Sequence, residues 1–201
     1  MPRTTAPDRE LRARGQKTRR RLLDAGARVF ASRGYHAARV DDIVKLARTS
    51  HGTFYLYFEN KEELFAGLAG EVAERMSARF DEFPAFGRDV AGRAELEAWF
   101  VGFGELYRSS APILRAWTEA EIAGDAVGRI GAGALGRFAD VIASRFAAAR
   151  TPGVDPQLAA LAVVAMVERA HYYQTTEQVT IEPDELAATL ARVTHAAVHR
   201  P

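Results

Sequence analysis

The sequence predicts an all-α fold, with an N-terminal helix-turn-helix unit and a larger helical body. Apolar residues recur at spacings of three and four along most of the chain, and no segment alternates with the period of two that a half-buried strand requires. Proline, glycine and Asx residues fall between these stripes, where they start or stop helices. The charge is uneven: residues 1 to 61 hold 14 Lys/Arg against 6 Asp/Glu, a balance of +8, so the remainder carries +1 minus +8, or −7. A basic head on an acidic body suits a chain of which one part meets a polyanion.

With 48% hydrophobic residues, the 201-residue chain can bury a sizeable core, as one large domain or as a small domain joined to a larger one. It has no cysteine, which excludes disulfides, thiolate catalysis and cysteine-based zinc sites and fits a reducing cytoplasm. The first ten residues are charged and lack an apolar core, so no signal peptide is expected. The most apolar run, residues 158 to 167, is about half the ~20 residues of a membrane span. A soluble, cytoplasmic chain with no membrane partner is expected.

Residues 1 to 14, with Arg3, Arg9, Arg12 and Arg14 beside Pro2 and Pro7, read as a basic flexible arm: a phosphate contact or a solubilising tail. Residues 16 to 33 form an amphipathic helix on Leu22, Leu23, Gly26, Val29 and Phe30, with Gly34 in place for a left-handed cap. Val40, Ile43, Val44 and Ala47 mark a shorter helix whose first turn carries Asp41 and Asp42, where carboxylates suit the helix dipole. Only Arg48, Thr49 and Ser50 separate it from residues 50 to 58, read as a second short helix. Two short helices across such a turn make a helix-turn-helix, whose second helix enters the major groove. Phe54 and Phe58, four apart, face the core; His51, Thr53, Tyr55, Leu56 and Tyr57 lie nearer to solvent.

Asn60, with Glu63 three residues on, caps a long helix striped by Leu64, Leu68, Val72, Met76 and Phe80, and Pro84 and Gly87 punctuate its end. Residues 95 to 107 form another helix, and Pro112 suits the first turn of the next, through Ile113, Leu114, Trp117 and Ile122. A glycine-rich entry at 124 to 136 leads into a helix to Arg150, and the residues 152 to 156 break is a loop. Residues 158 to 176 are the most apolar helix; Pro183 opens a last one. Both are rich in alanine, and the first is apolar on more than one face, so it is buried on both sides, in a large core or against a second subunit.

Gly34-Tyr35, Val40-Asp41-Asp42-Ile43, Leu46-Ala47, residues 50 to 58 and Lys61-Glu62-Glu63-Leu64 together closely resemble the DNA-binding domain of the TetR family of bacterial transcription regulators. The likeness covers about residues 16 to 64. Two positions depart from it: Arg48 stands in the turn where the family usually has glycine, and Ala38-Arg39 where it often has a hydroxyl near the start of the second helix. The turn must then accommodate a side chain, and Arg39 replaces the hydroxyl as phosphate contact. For the body, the resemblance implies an all-helical homodimer through the last two helices and a small-molecule pocket among the middle ones.

The domain organisation expected is a basic flexible arm over 1 to 14, a helix-turn-helix DNA-binding domain over 15 to 61, and an effector-binding and dimerisation domain over 62 to 201. Arg39, Thr49, Ser50, His51, Gly52, Thr53, Tyr55, Leu56, Tyr57 and Lys61 are the candidate DNA-binding residues. Among them Thr53 and Leu56 are placed for base edges, because a hydroxyl bonds most bases and an apolar side chain suits a thymine methyl. Tyr55, Tyr57, His51 and Lys61 are placed for phosphate or groove contact, and Gly52 lets the helix approach the DNA backbone closely. Trp99, Phe103, Tyr107, Trp117, Phe138, His171, Tyr172 and Tyr173 are the candidates for a pocket taking an apolar or aromatic effector, against the plain alternative that they are core.

Gly131-Ala132-Gly133-Ala134-Leu135-Gly136 matches the dinucleotide fingerprint, but that motif works only between a strand and a helix. The five histidines are scattered; only His195 and His199 are four apart, so neither a metal nor a cofactor is expected. No nucleophile-base-acid arrangement or P-loop appears, so no enzyme is expected. The function expected is a ligand-responsive transcriptional regulator, a repressor released from a pseudo-palindromic double-stranded DNA operator by a small molecule. An architectural DNA-binding protein without ligand control, or a helical enzyme, are the alternatives.

Overall fold

The computed structural model describes residues 6 to 121, 126 to 149 and 153 to 198. They form helices α1 (Ala6–Ala37), α2 (Val40–Leu46), α3 (His51–Tyr55), α4 (Lys61–Asp81), α5 (Val90–Glu121), α6 (Ala126–Ala149), α7 (Pro156–Thr175) and α8 (Pro183–Val198), and no strand occurs among the described residues. The all-α fold is as the periodicity predicts. The chain divides into two compact units, Met1–Glu71 with Pro112–Gly128, and Val72–Ala111 with Arg129–Pro201.

In the first unit the opening turns of α4 pack against α1. A methyl group on Gly26 would collide with Leu64 Cδ2, so glycine at that position lets Leu64 seat itself fully buried on the helix. The Phe65 ring meets Phe30 and Tyr35 edge-on, each with centroids 4.9 Å apart. This packing lies within the first unit, whose first segment runs to Glu71.

Helix α1 starts earlier than the expected residue 16. Residues 6 to 14, expected as an irregular arm, are helical, whereas residues 1 to 5 lie outside the described residues. Its other end also differs. Gly34 has φ 74 and ψ 174, a combination that is extended in ψ and open essentially to glycine alone. It interrupts α1, and the chain resumes a helical turn to Ala37.

The second unit has an aromatic core. Phe80 stacks on Phe138 at 4.0 Å, Trp99 stacks on Phe103 at 5.2 Å, and Phe83 meets Trp99 edge-on at 4.9 Å. Two reciprocal hydrogen bonds tie α4 to α5: Trp99 Nε1 donates to the Arg79 carbonyl at 2.9 Å, and Arg79 Nη2 donates to the Trp99 carbonyl at 2.8 Å. Asp89 Oδ1 accepts from Gly92 N at 2.9 Å at the start of α5. A side chain on Gly92 would run into the backbone of Gly87, which requires glycine there. At α7, Asp155 Oδ1 accepts from the amides of Gln157 and Leu158, both at 2.9 Å, and Pro156 fills the first turn, where its missing N–H costs nothing.

Two further expectations are corrected. Residues 95 to 107 and the segment beginning at Pro112 are one helix, α5, with Pro112 inside it. Proline there removes one ladder hydrogen bond, yet its neighbours Ala111, Ile113, Ala116 and Trp117 are all buried, and their packing holds the helix together. The glycine-rich segment is the body of α6 and not an entry to it: Gly128, Gly131, Gly133 and Gly136 lie within Ala126–Ala149, with residues 122 to 125 outside the described residues. A dinucleotide turn needs its glycines between strand and helix, and these are helical.

Candidate nucleic-acid interface

The turn between α2 and α3 is built by backbone geometry. Ala47 N donates to the Ile43 carbonyl at 2.8 Å and Thr49 N to the Val44 carbonyl at 3.0 Å, which turns the chain sharply out of α2. Arg48 takes φ 51, so the position where glycine was expected does adopt the left-handed conformation, with a full side chain. Ser50, extended at φ −97 and ψ 161, then caps α3: its hydroxyl oxygen accepts from Thr53 N at 3.1 Å and lies 3.0 Å from Thr53 Oγ1.

Helix α3 ends at Tyr55 with Leu56 as its cap, shorter than the residues 50 to 58 read from sequence. The segment beyond stays compact because Tyr57 N and Phe58 N both donate to the Phe54 carbonyl, at 2.9 and 3.0 Å. Phe54 and Phe58 are buried as their spacing predicts, with centroids 5.7 Å apart. Arg19 of α1 lies over the Phe58 ring at 5.3 Å. Tyr55 and Leu56 point outward, 57% and 80% exposed. Gly52 is exposed, and a methyl there would meet only Ser50 Oγ, at 3.8 Å, so packing within the chain does not require glycine.

The remaining candidates divide. Arg39 is exposed, in extended conformation at φ −123 and ψ 150, and its side chain makes no cap hydrogen bond to α2. Thr49 is half-buried. His51 Nε2 lies 2.6 Å from Asp41 Oδ1, both side chains well exposed. Nothing in helical spacing signals this pair, because its members sit on different helices. Tyr57 is half-buried, and its hydroxyl leans back on α1, 3.5 Å from where a Gly15 Cβ would stand. Lys61 also turns inward, donating to the carbonyls of Tyr35, His36 and Ala38 at 3.0, 3.2 and 3.2 Å.

The eight residues proposed for an effector pocket do not form one group. Trp99, Phe103 and Phe138 are buried and mutually stacked in the second unit, and Trp117 belongs to the first. Tyr107 and His171 sit together with ring centroids 5.2 Å apart, and Phe103 meets His171 edge-on at 5.1 Å. Burial raises the Tyr107 pKa above the ordinary phenol range. Burial also lowers the His171 pKa; the Val167 carbonyl 2.8 Å from Nδ1 works against that shift and the Arg108 charge adds to it. Tyr172 and Tyr173 lie toward the surface of α7, with the Arg169 guanidinium 4.9 and 5.8 Å from their rings. His195 Nε2 lies 3.0 Å from the Gly87 carbonyl, and His199 lies outside the described residues. No helix among the described residues is long and apolar enough to cross a membrane.

The model of the bacterial regulatory proteins of the tetR family matches residues 22–68, which span α2, the turn and α3 with the flanking parts of α1 and α4. Residues 22–68 are thus similar to the DNA-binding domain of the tetR-family regulators. The HTH-type regulator YdgC of Bacillus subtilis is 42% identical over 66 residues, 33% of this chain and 34% of that protein. The HTH-type transcriptional repressor Rv1474c of Mycobacterium tuberculosis is 28% identical over 172 residues, 76% of this chain and 91% of that protein. The match spans about a third of the length of the first curated relatives, 34%, 31% and 32% in turn. The crystal structure of the regulator FadR from Bacillus subtilis in complex with stearoyl-CoA shares the fold over 89% of this chain and 98% of that one, with a TM-score of 0.66 and 20% identity.

Proposed function

We propose that this chain is a cytoplasmic transcriptional repressor of the TetR family that binds a pseudo-palindromic DNA operator as a homodimer and releases it when a small molecule binds the body. One observation carries the DNA-binding reading. Tyr55 and Leu56, 57% and 80% exposed, stand at the end of α3 on a helix anchored from behind by the buried Phe54 and Phe58. Apolar and aromatic groups exposed in this way find partners in thymine methyls, sugars and phosphates. The open space around Gly52 lets α3 approach the DNA backbone, and Arg39 extends the contact as a phosphate ligand.

The homodimer reading rests on α7. Leu158 and Leu161 are 68% and 61% exposed, and Ala162, Ala165 and Tyr173 continue the same exposed face. An apolar face of this kind, together with α8, suits a two-fold helical interface. Two recognition helices would then meet major-groove faces about 34–36 Å apart, or a multiple of that.

The effector reading rests on buried polar groups in the second unit. The hydroxyls of Ser110 and Thr194, 2% and 0% exposed, have no hydrogen-bond partner, and a bound molecule with polar atoms would supply one. A ligand acts on DNA affinity only as far as it binds the DNA-competent and DNA-incompetent conformers unequally. FadR of Bacillus subtilis holds stearoyl-CoA, so a long-chain acyl-CoA is the first effector to add. Selection of bound duplexes from a random pool tests the proposal: enrichment of a two-fold symmetric sequence supports it, and recovery of unenriched DNA overturns it.

A further inference from the structure

Lys61 opens α4, and its ammonium group is fully engaged within the chain. It has three protons to donate, and Nζ stands 3.0 Å from the Tyr35 carbonyl oxygen, 3.2 Å from that of His36 and 3.2 Å from that of Ala38. The same nitrogen lies 5.0 Å from the centroid of the buried Tyr35 ring, which Phe65, one helical turn along α4, meets edge-on. Lys61 and Phe65 therefore grip the same short segment, one by charge and the other by packing.

That segment needs such a partner. Gly34, at φ 74 and ψ 174, interrupts α1 with non-helical backbone, and residues 35 to 38 lead to Arg39, the cap of α2. Carbonyls at a helix end lack intrahelical N–H partners and cost free energy when withdrawn from water unmet. The next residue is Arg39, whose extended backbone caps α2 and whose carbonyl accepts from Asp42 N and Ile43 N at 3.1 and 3.3 Å. The path from Lys61 through the Ala38 carbonyl to the start of α2 is one peptide long.

We infer that Lys61 is a positioning residue and not a phosphate contact: its ammonium closes the end of α1 and thereby fixes where Arg39 and the start of α2 stand. The functional part of this inference rests on the DNA-binding reading above; the clamp itself does not. A lysine on a phosphate releases condensed counterions when it binds, and a lysine turned inward releases none.

The test uses the whole chain, wild type and with Lys61→Met or Lys61→Gln, and a random-sequence duplex of on the order of 30 base pairs, long enough for two half-sites. Affinity is followed by fluorescence anisotropy across a salt series, and thermal unfolding is followed without DNA. Lys61→Met should weaken binding by the same factor at every salt concentration, leave the slope of log K against log salt unchanged, and lower the unfolding temperature by on the order of 5 °C. Lys61→Gln keeps two N–H donors without the charge, so it folds where the methionine variant does not and gives the same slope readout. A slope smaller in magnitude by about 0.9 in either variant, the signature of one lost phosphate contact, overturns the inference. So does unfolding at the wild-type temperature in both variants. Should the wild type fail to bind duplex DNA at all, the DNA-binding reading falls, and the unfolding measurement alone decides the clamp.

Discussion

Ser50 Oγ accepts the backbone N–H of Thr53 at 3.1 Å and lies 3.0 Å from the Thr53 hydroxyl. The Ser50 hydroxyl thus secures the N-terminus of α3. Loss of such a cap costs about 1 kcal/mol, or roughly 2–4 °C in a chain of this size. Ser50→Ala should show that fall in thermal unfolding. Ser50→Asp keeps an oxygen acceptor for the same amide and should restore the unfolding temperature.

Arg48 at φ 51 predicts the opposite sign. A side chain in the left-handed region costs about 1–2 kcal/mol and glycine avoids that cost, although its freer unfolded chain takes back about 0.4–1 kcal/mol. Arg48→Gly should therefore stabilise the chain by about 1 kcal/mol, measured by urea unfolding, with the denaturant slope unchanged.

Residues 22 to 64 were legible in the sequence because local rules dominate there. The four-residue spacing of Phe54 and Phe58, the carboxylates of Asp41 and Asp42 and the Asn60 cap each report their own surroundings, and Asn60 Oδ1 does accept from Glu63 N at 2.8 Å. What escaped depends on partners distant in the chain. Lys61 reads as a free cation until the carbonyls of Tyr35 and Ala38 are placed beside it, and Tyr57 as outward until Gly15 is. Pro112 reads as the start of a helix and the glycines of α6 as an entry to one when propensity is weighed locally, whereas both lie inside helices. At Pro112, burial of Ala111, Ile113, Ala116 and Trp117 outweighs the one hydrogen bond lost. The aromatic spacing on α5 could not separate core from pocket, since both bury the same face.

His171 gives a pH dependence with a definite sign. Burial lowers its pKa in the folded chain below the ordinary 6.5. Below about pH 6.5 the unfolded chain binds a proton that the folded chain refuses, so stability is complete above that pH and declines as pH falls toward the lowered value. His171→Leu should flatten the stability profile below about pH 6.5 relative to wild type, as read from urea midpoints at each pH.

Leu161, 61% exposed on α7, marks the proposed subunit interface. Leu161→Arg places a charge where two apolar faces would meet, and desolvating it without a partner is costly. Sedimentation should show the wild type as a dimer and the variant as a folded monomer, with operator affinity reduced because the two half-sites are no longer engaged together.

The outward end of α3 is tested most directly by measuring Tyr55→Ala and Leu56→Ala on the duplex that the wild-type chain selects. Each folded variant should bind that duplex about tenfold to a hundredfold more weakly, the loss of roughly 1–3 kcal/mol expected for a groove contact. Leu56→Ala should in addition relax the base preference at one position of each half-site. Wild-type affinity and an unchanged selected sequence in both variants would contradict the placement of α3 in the groove.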